Sequence, residues 1–106
     1  MLLLLLGLAT ADPGPTAQSD PGRATYVAKC QACHGPEGKG DGPAARALPK
    51  PPKDFTSEEF WKGQTPEKLR STITTGKPGS AMRGFKMSEE QLDALVAYLQ
   101  TLRPSK

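Results

Sequence analysis

Cys30-Gln31-Ala32-Cys33-His34 is the stretch on which the reading of this chain turns, because it holds both of the chain's cysteines and its single histidine. The spacing puts two thiols one helical turn apart, with an imidazole directly after the second. Three ordinary uses of such a pair fit the rest of the sequence poorly. A structural zinc site wants four Cys or His ligands, and this chain has three in total. A redox dithiol of the thioredoxin kind needs a strand-helix-strand setting, and no alternating strand pattern longer than a few residues occurs. A bare disulfide leaves His34 without a role. Attachment of a c-type haem uses every part of the run: two thiols add to two vinyl groups, and the imidazole reaches the iron.

Upstream of the run, Asp20 caps a helix with Pro21 at its first position, running through Tyr26 and Val27 to about Cys30. Downstream, Gly35 to Lys53 is crowded with Gly and Pro and predicts extended loop with one turn at Pro43 to Leu48. A loop of that length inside a small domain is explained if it wraps a bound group. Thr56 with Glu59 predicts a capping box for a short helix holding Phe60 and Trp61. Thr65 and Pro66 open a second helix, with Leu69 and Ile73 on one face and Gly76 as its stop. The clearest periodicity comes last: Leu92, Leu95, Val96, Leu99 and Leu102 share one face, Ser88 with Gln91 forms a capping box, and Arg103-Pro104 ends the helix. An all-α domain with long loops follows.

The composition agrees. At 106 residues there is room for one small domain, and 36% hydrophobic with 6% aromatic residues makes a thin protein-only core that a bound group would complete. The net charge of +3 is spread over the chain with no dense basic block, which argues against nucleic acid. No glycine-rich phosphate loop lies between a strand and a helix. Residues 1–11 form an uncharged apolar run, shorter than the roughly 20 residues of a membrane span. The run reads as a signal peptide ending at Ala9-Thr10-Ala11, although basic residues before it are missing; an uncleaved anchor is the alternative. Residues 12–19 read as a flexible leader, and 20–106 as the domain.

With no second histidine, the other axial iron ligand has to come from a different residue type, and methionine is the natural one. Met82 lies in the Gly- and Pro-containing loop Gly76 to Phe85, which can fold over a flat ligand. Met87 adjoins the Ser88 cap, where it suits a hydrophobic staple, so Met82 is favoured and Met87 is the fallback.

On these residues the chain resembles the class I cytochromes c, in particular small bacterial single-haem ones. The resemblance spans about Asp20 to Leu102. It is carried by Cys30 to Gly35, Gly40-Asp41-Gly42-Pro43, the segment around Met82, and the Ser88 helix with Tyr98-Leu99. It implies three main helices around one haem c, His34 and Met82 on opposite faces, and a crossing of the first and last helices near Gly22, Tyr26, Leu95 and Tyr98. It also implies that the Pro43 carbonyl receives the His34 ring N–H. Many relatives have Pro directly after the ligating Met; here Arg83 stands there, placing positive charge near the haem edge. Trp61 is a candidate donor to a haem propionate, with Lys53 or Arg46 balancing charge, against the alternative of Trp61 as a core aromatic and the cations as solvated surface.

Both axial positions filled means one-electron transfer and no substrate at the iron. The expected role is a non-enzymatic electron carrier, exported to the bacterial periplasm, that docks transiently with redox proteins through scattered cations such as Lys39, Lys62, Lys77, Arg83 and Lys86. The alternatives are a fixed haem subunit of a respiratory or dehydrogenase complex, and a peroxidase or gas-binding protein with an open distal site.

Overall fold

The computed structural model describes residues 15–104, with side chains described from Pro21 onward. The apolar run 1–11 and the start of the leader lie outside the described residues. Five α-helices follow in order: α1 Pro15–Lys29, α2 Gln31–His34, α3 Glu58–Lys62, α4 Pro66–Thr75 and α5 Glu89–Gln100, with a 3-10 turn at Pro43–Ala47 between α2 and α3. No helix among the described residues is long and apolar enough to cross a membrane.

The first helix starts earlier than the Asp20 cap predicts: α1 begins at Pro15, and Pro21 lies inside it. Pro21 is the seventh residue of α1, past the first turn, where a proline removes one backbone bond and crowds the carbonyl four residues back; Pro15 suits the first position.

α1 and α5 cross at the point the glycine marks. A Cβ on Gly22 would overlap the Ala94 carbonyl and approach the Tyr98 Cβ to 2.9 Å, so only glycine lets the backbones come this close. Tyr26 and Leu95 seal the crossing at 0% exposure, and the Tyr26 and Tyr98 rings lie 5.3 Å apart. Leu92, Val96 and Leu99 continue the apolar face of α5 into a core shared with Leu69 and Ile73 of α4, Trp61 of α3, and Phe55.

The caps explain the other helix starts. The Thr65 Oγ1 accepts from the Lys68 N–H at 3.1 Å, and Gly76 ends α4 with φ +82°. The Ser88–Gln91 box is complete: the Gln91 N–H donates to Ser88 Oγ at 3.1 Å, and the Ser88 N–H donates to Gln91 Oε1 at 3.2 Å. Ser88→Ala is expected to lower unfolding stability by about 1 kcal/mol, read as a reduced urea midpoint at unchanged m-value. For α3 the cap moves by one residue: Ser57, not Thr56, accepts from the Glu59 N–H at 3.1 Å. Thr56 is already committed, its N–H and hydroxyl both donating to Asp54 Oδ1 at 2.8 and 2.6 Å. Arg70 of α4 pairs with both Glu89 and Asp93 of α5, tying together the two helices that flank the Met82 loop.

Candidate functional site

α1 stops at Lys29, and the chain turns at once into α2, with the His34 N–H donating to the Cys30 carbonyl at 2.9 Å and the Cys33 N–H to the same carbonyl at 3.2 Å. That single turn carries both thiols, which are free and half-buried, with Cys30 packed against the core. Burial pushes the Cys30 thiol up to about 11, outweighing the pull of Lys29 in the other direction. The turn is wrapped by the glycine-rich loop: the Gly40 N–H donates to the His34 carbonyl at 2.8 Å and the Gly42 N–H to the Cys33 carbonyl at 2.9 Å. A Cβ on Gly42 would overlap the Ala32 carbonyl, which is why this loop carries glycine where it meets α2.

His34 faces inward from the end of α2, its ring stacked on Phe55 with centroids 4.4 Å apart. Burial holds it below the usual histidine range, opposed by a hydrogen bond to backbone. That bond runs from Nδ1–H to the Lys53 carbonyl at 3.1 Å. Because a carbonyl only accepts, Nδ1 carries the proton and Nε2 keeps its lone pair for a metal. The resemblance implies the Pro43 carbonyl for this contact, whereas in this structure the ring N–H meets the Lys53 carbonyl. Pro43 opens the exposed 3-10 turn, whereas the Phe55 N–H donates to the Gly38 carbonyl at 2.6 Å and draws residues 53–55 back alongside the loop.

Met82 is half-buried and lines the same small cavity as His34, of about 100 Å³, whose other walls include Phe55, Leu69, Ile73 and Leu99. Next to it lies a wider, open and polar cleft of about 430 Å³; Lys53, Phe60, Gln64 and Lys77 border both. The loop that presents Met82 is closed at its neck by an isolated antiparallel bridge between Gly76 and Arg83, the Lys77 N–H donating to the Met82 carbonyl at 3.0 Å. The Phe85 N–H then donates to the Ile73 carbonyl at 2.8 Å. Arg83, exposed, lies over the Phe85 ring 5.0 Å from its centroid. Met87 packs against the core beside the Ser88 cap.

Trp61 is a core residue. Its indole N–H donates to the Phe55 carbonyl at 2.7 Å, the arrangement that the core alternative expects. Lys53 borders the cavity, and Arg46 sits exposed on the 3-10 turn. Two participants carried no motif: Phe55, which backs the histidine, and the Lys53 carbonyl, which sets its tautomer. A main-chain acceptor has no sequence signature.

The donor set suits a haem. It comprises two free thiols one turn apart, a neutral imidazole with Nε2 available, and a thioether sharing its apolar-walled cavity, while no buried side-chain polar atom among the described residues lacks a hydrogen bond. The family model for cytochrome c matches residues 19–103. The chain belongs to the cytochrome c family.

A cytochrome c of this family binds haem covalently, and Cys30, Cys33 and His34 are the residues here that fit that attachment. Among relatives, the chain is 37% identical over 103 residues to dihydro-heme d1 dehydrogenase of Pseudomonas aeruginosa, covering 95% of this chain and 18% of that protein. It is 30% identical over 96 residues to the cbb3-type cytochrome c oxidase subunit FixP of Azorhizobium caulinodans, covering 90% of this chain and 31% of that subunit. This cytochrome therefore spans under a third of either relative's length. Among solved structures, the KustC0563 c-type cytochrome superposes with a TM-score of 0.65 at 25% identity, covering 77% of this chain and 96% of that one.

Proposed function

We propose that this cytochrome is a one-electron carrier whose haem is tethered by Cys30 and Cys33 and ligated by His34 and Met82. The observation that carries the reading is the shared cavity: the imidazole and the thioether border one apolar space, so both axial positions can be supplied from this chain. When bound, the haem supplies the Fe(II)/Fe(III) couple, and a methionine sulfur with low-dielectric surroundings favours the reduced form. The protein's part is to hold and exclude. The Lys53 carbonyl orients the imidazole, the neck at Gly76–Arg83 holds the thioether, and Phe55, Leu69, Ile73 and Leu99 keep water from the space between. With both positions occupied the protein is a carrier, not an enzyme.

The exposed cations Lys77 and Lys53 at the cleft, with exposed Arg83 directly after Met82 in the chain, favour brief docking to acidic redox partners. Reading residues 1–11 as a signal peptide supports an exported, periplasmic location. A second reading, a haem module fixed within a larger redox assembly, is favoured by one observation: the match covers under a third of each of the two relatives named above, and one of them is an oxidase subunit.

The test is the spin state of the purified holoprotein. Wild type is expected to be low-spin in both oxidation states and slow to take up cyanide, whereas Met82→Ala turns high-spin and binds cyanide on the order of a hundredfold faster once the distal position is open. Wild-type protein that is already high-spin sinks the carrier reading in favour of an open distal site. A low-spin Met82→Ala moves the ligand to Met87.

A further inference from the structure

Tyr26 is fully buried in the crossing of α1 and α5, yet it keeps a hydroxyl that the crossing does not need. The ring packs against Tyr98, and a phenylalanine would fill that place as well. A buried hydroxyl costs free energy unless it is hydrogen-bonded, so its partner matters. That partner is the Gly35 carbonyl, which accepts from the Tyr26 O–H at 2.5 Å.

Gly35 is the residue that carries the chain away from His34. Its φ of +89° is open to glycine and strained for other residues. Its N–H donates to the Gln31 carbonyl at 2.8 Å, and its carbonyl also accepts from the Gly38 N–H at 3.2 Å. Gly35 itself is buried. Burial raises the Tyr26 hydroxyl well above the ordinary tyrosine range, which keeps the donor protonated across physiological pH.

We propose that Tyr26 is a positioning residue for the axial histidine, acting through Gly35 to hold the backbone from which the His34 ring projects. The proposal rests on His34 being an iron ligand. The imidazole is then fixed from two directions, at its ring by the Lys53 carbonyl and at its backbone exit by Tyr26. Through the second of these, the packing of the terminal helices reaches the iron.

Tyr26→Phe removes only the oxygen. In the holoprotein it is expected to keep covalent haem and low-spin iron. It should change the equilibrium between reduced and oxidised protein at least threefold, about 30 mV at 59 mV per tenfold for one electron. The Gly35 and Gly38 amides are expected to exchange with solvent roughly tenfold faster, as for loss of one buried hydrogen bond. Tyr98→Phe, in the same crossing but without the bond to Gly35, should leave the potential at the wild-type value.

A Tyr26→Phe protein with the wild-type potential and only a lower melting temperature overturns the proposal, as does a Tyr98→Phe that shifts the potential equally. Should Tyr26→Phe fail to retain haem, difluorotyrosine incorporated at position 26 supplies a stronger donor of the same shape. An unchanged potential in that protein overturns the proposal, and a changed one supports it. Failure of the ligand assignment itself would show separately, as wild-type protein without a low-spin histidine-ligated spectrum.

Discussion

Replacing Cys30 and Cys33 together with alanine is expected to give a protein from which acidified acetone extracts all the haem, whereas wild type retains it. Both thiols are free and sit on one turn, and each single replacement should leave one thioether and an intermediate resistance to extraction. The effect on folding should be as large as the effect on attachment. A tethered haem is present at fixed stoichiometry. Once released, it stabilises the fold only as any ligand does, by RT ln(1 + [haem]/Kd), so the melting temperature of the double mutant should climb with added haem while that of wild type does not. The core is small, a cluster of Tyr26, Phe55, Trp61 and the α4 and α5 aliphatics in which Phe55, Leu69, Ile73 and Leu99 wall a cavity, and it leaves little stability in reserve. Thermal scans at several haem concentrations measure this directly, and a double mutant whose melting temperature ignores added haem would show that the protein core stands alone.

The second large effect is expected from Gly22→Val. A Cβ at this position already overlaps the Ala94 carbonyl, and that neighbour is backbone, which has no rotamer to yield. Valine adds two methyl groups to the clash. The helices must separate, and opening the crossing hydrates Tyr26 and Leu95, both at 0% exposure. A loss of about 3 kcal/mol or more is expected from overpacking at a buried backbone contact, seen as a fall in the urea midpoint. Gly63→Ala is the matched control. A Cβ there meets nothing within 4 Å, so the change should stay within about 0.5 kcal/mol.

The parts of this protein that were legible in its sequence are those governed by local chemistry. Ser88 with Gln91, Thr65 with Pro66, and the spacing of Leu92, Leu95, Val96 and Leu99 each involve residues within one or two turns of one another, and each appears in the structure where the pattern put it. The crossing at Gly22 was reached through the resemblance, because the reason for that glycine lies in α5, more than seventy positions away. What escaped were choices between nearly equal local options. Thr56 and Ser57 are both good caps, and Asp54 decided between them by engaging Thr56 first. Pro21 reads as a first helical residue because proline is disfavoured inside a helix, yet the helix continues back past it to Pro15. At the site, Cys30, Cys33 and His34 were open to reasoning because a motif names them, and Met82 because of the loop it lies in, and the proposed function rests on these four. The Lys53 carbonyl and the engagement of Trp61 with the Phe55 carbonyl were not, since every residue has a carbonyl and only the folded path brings one within reach.

The neck beneath Met82 has a consequence for how this molecule can change over generations. The tip from Pro78 to Ala81 is exposed and Gly79 has open space around it, yet Ser80 within it is tied to both sides of the neck: its N–H donates to the Lys77 carbonyl at 3.1 Å, and its Oγ accepts from the Met82 N–H at 3.2 Å. A change of length between Lys77 and Ser80 therefore reaches the Met82 backbone. Descendants keep Met82 in place by varying the charge and size of the side chains at positions 78 and 81 and leaving the Ser80 hydroxyl alone.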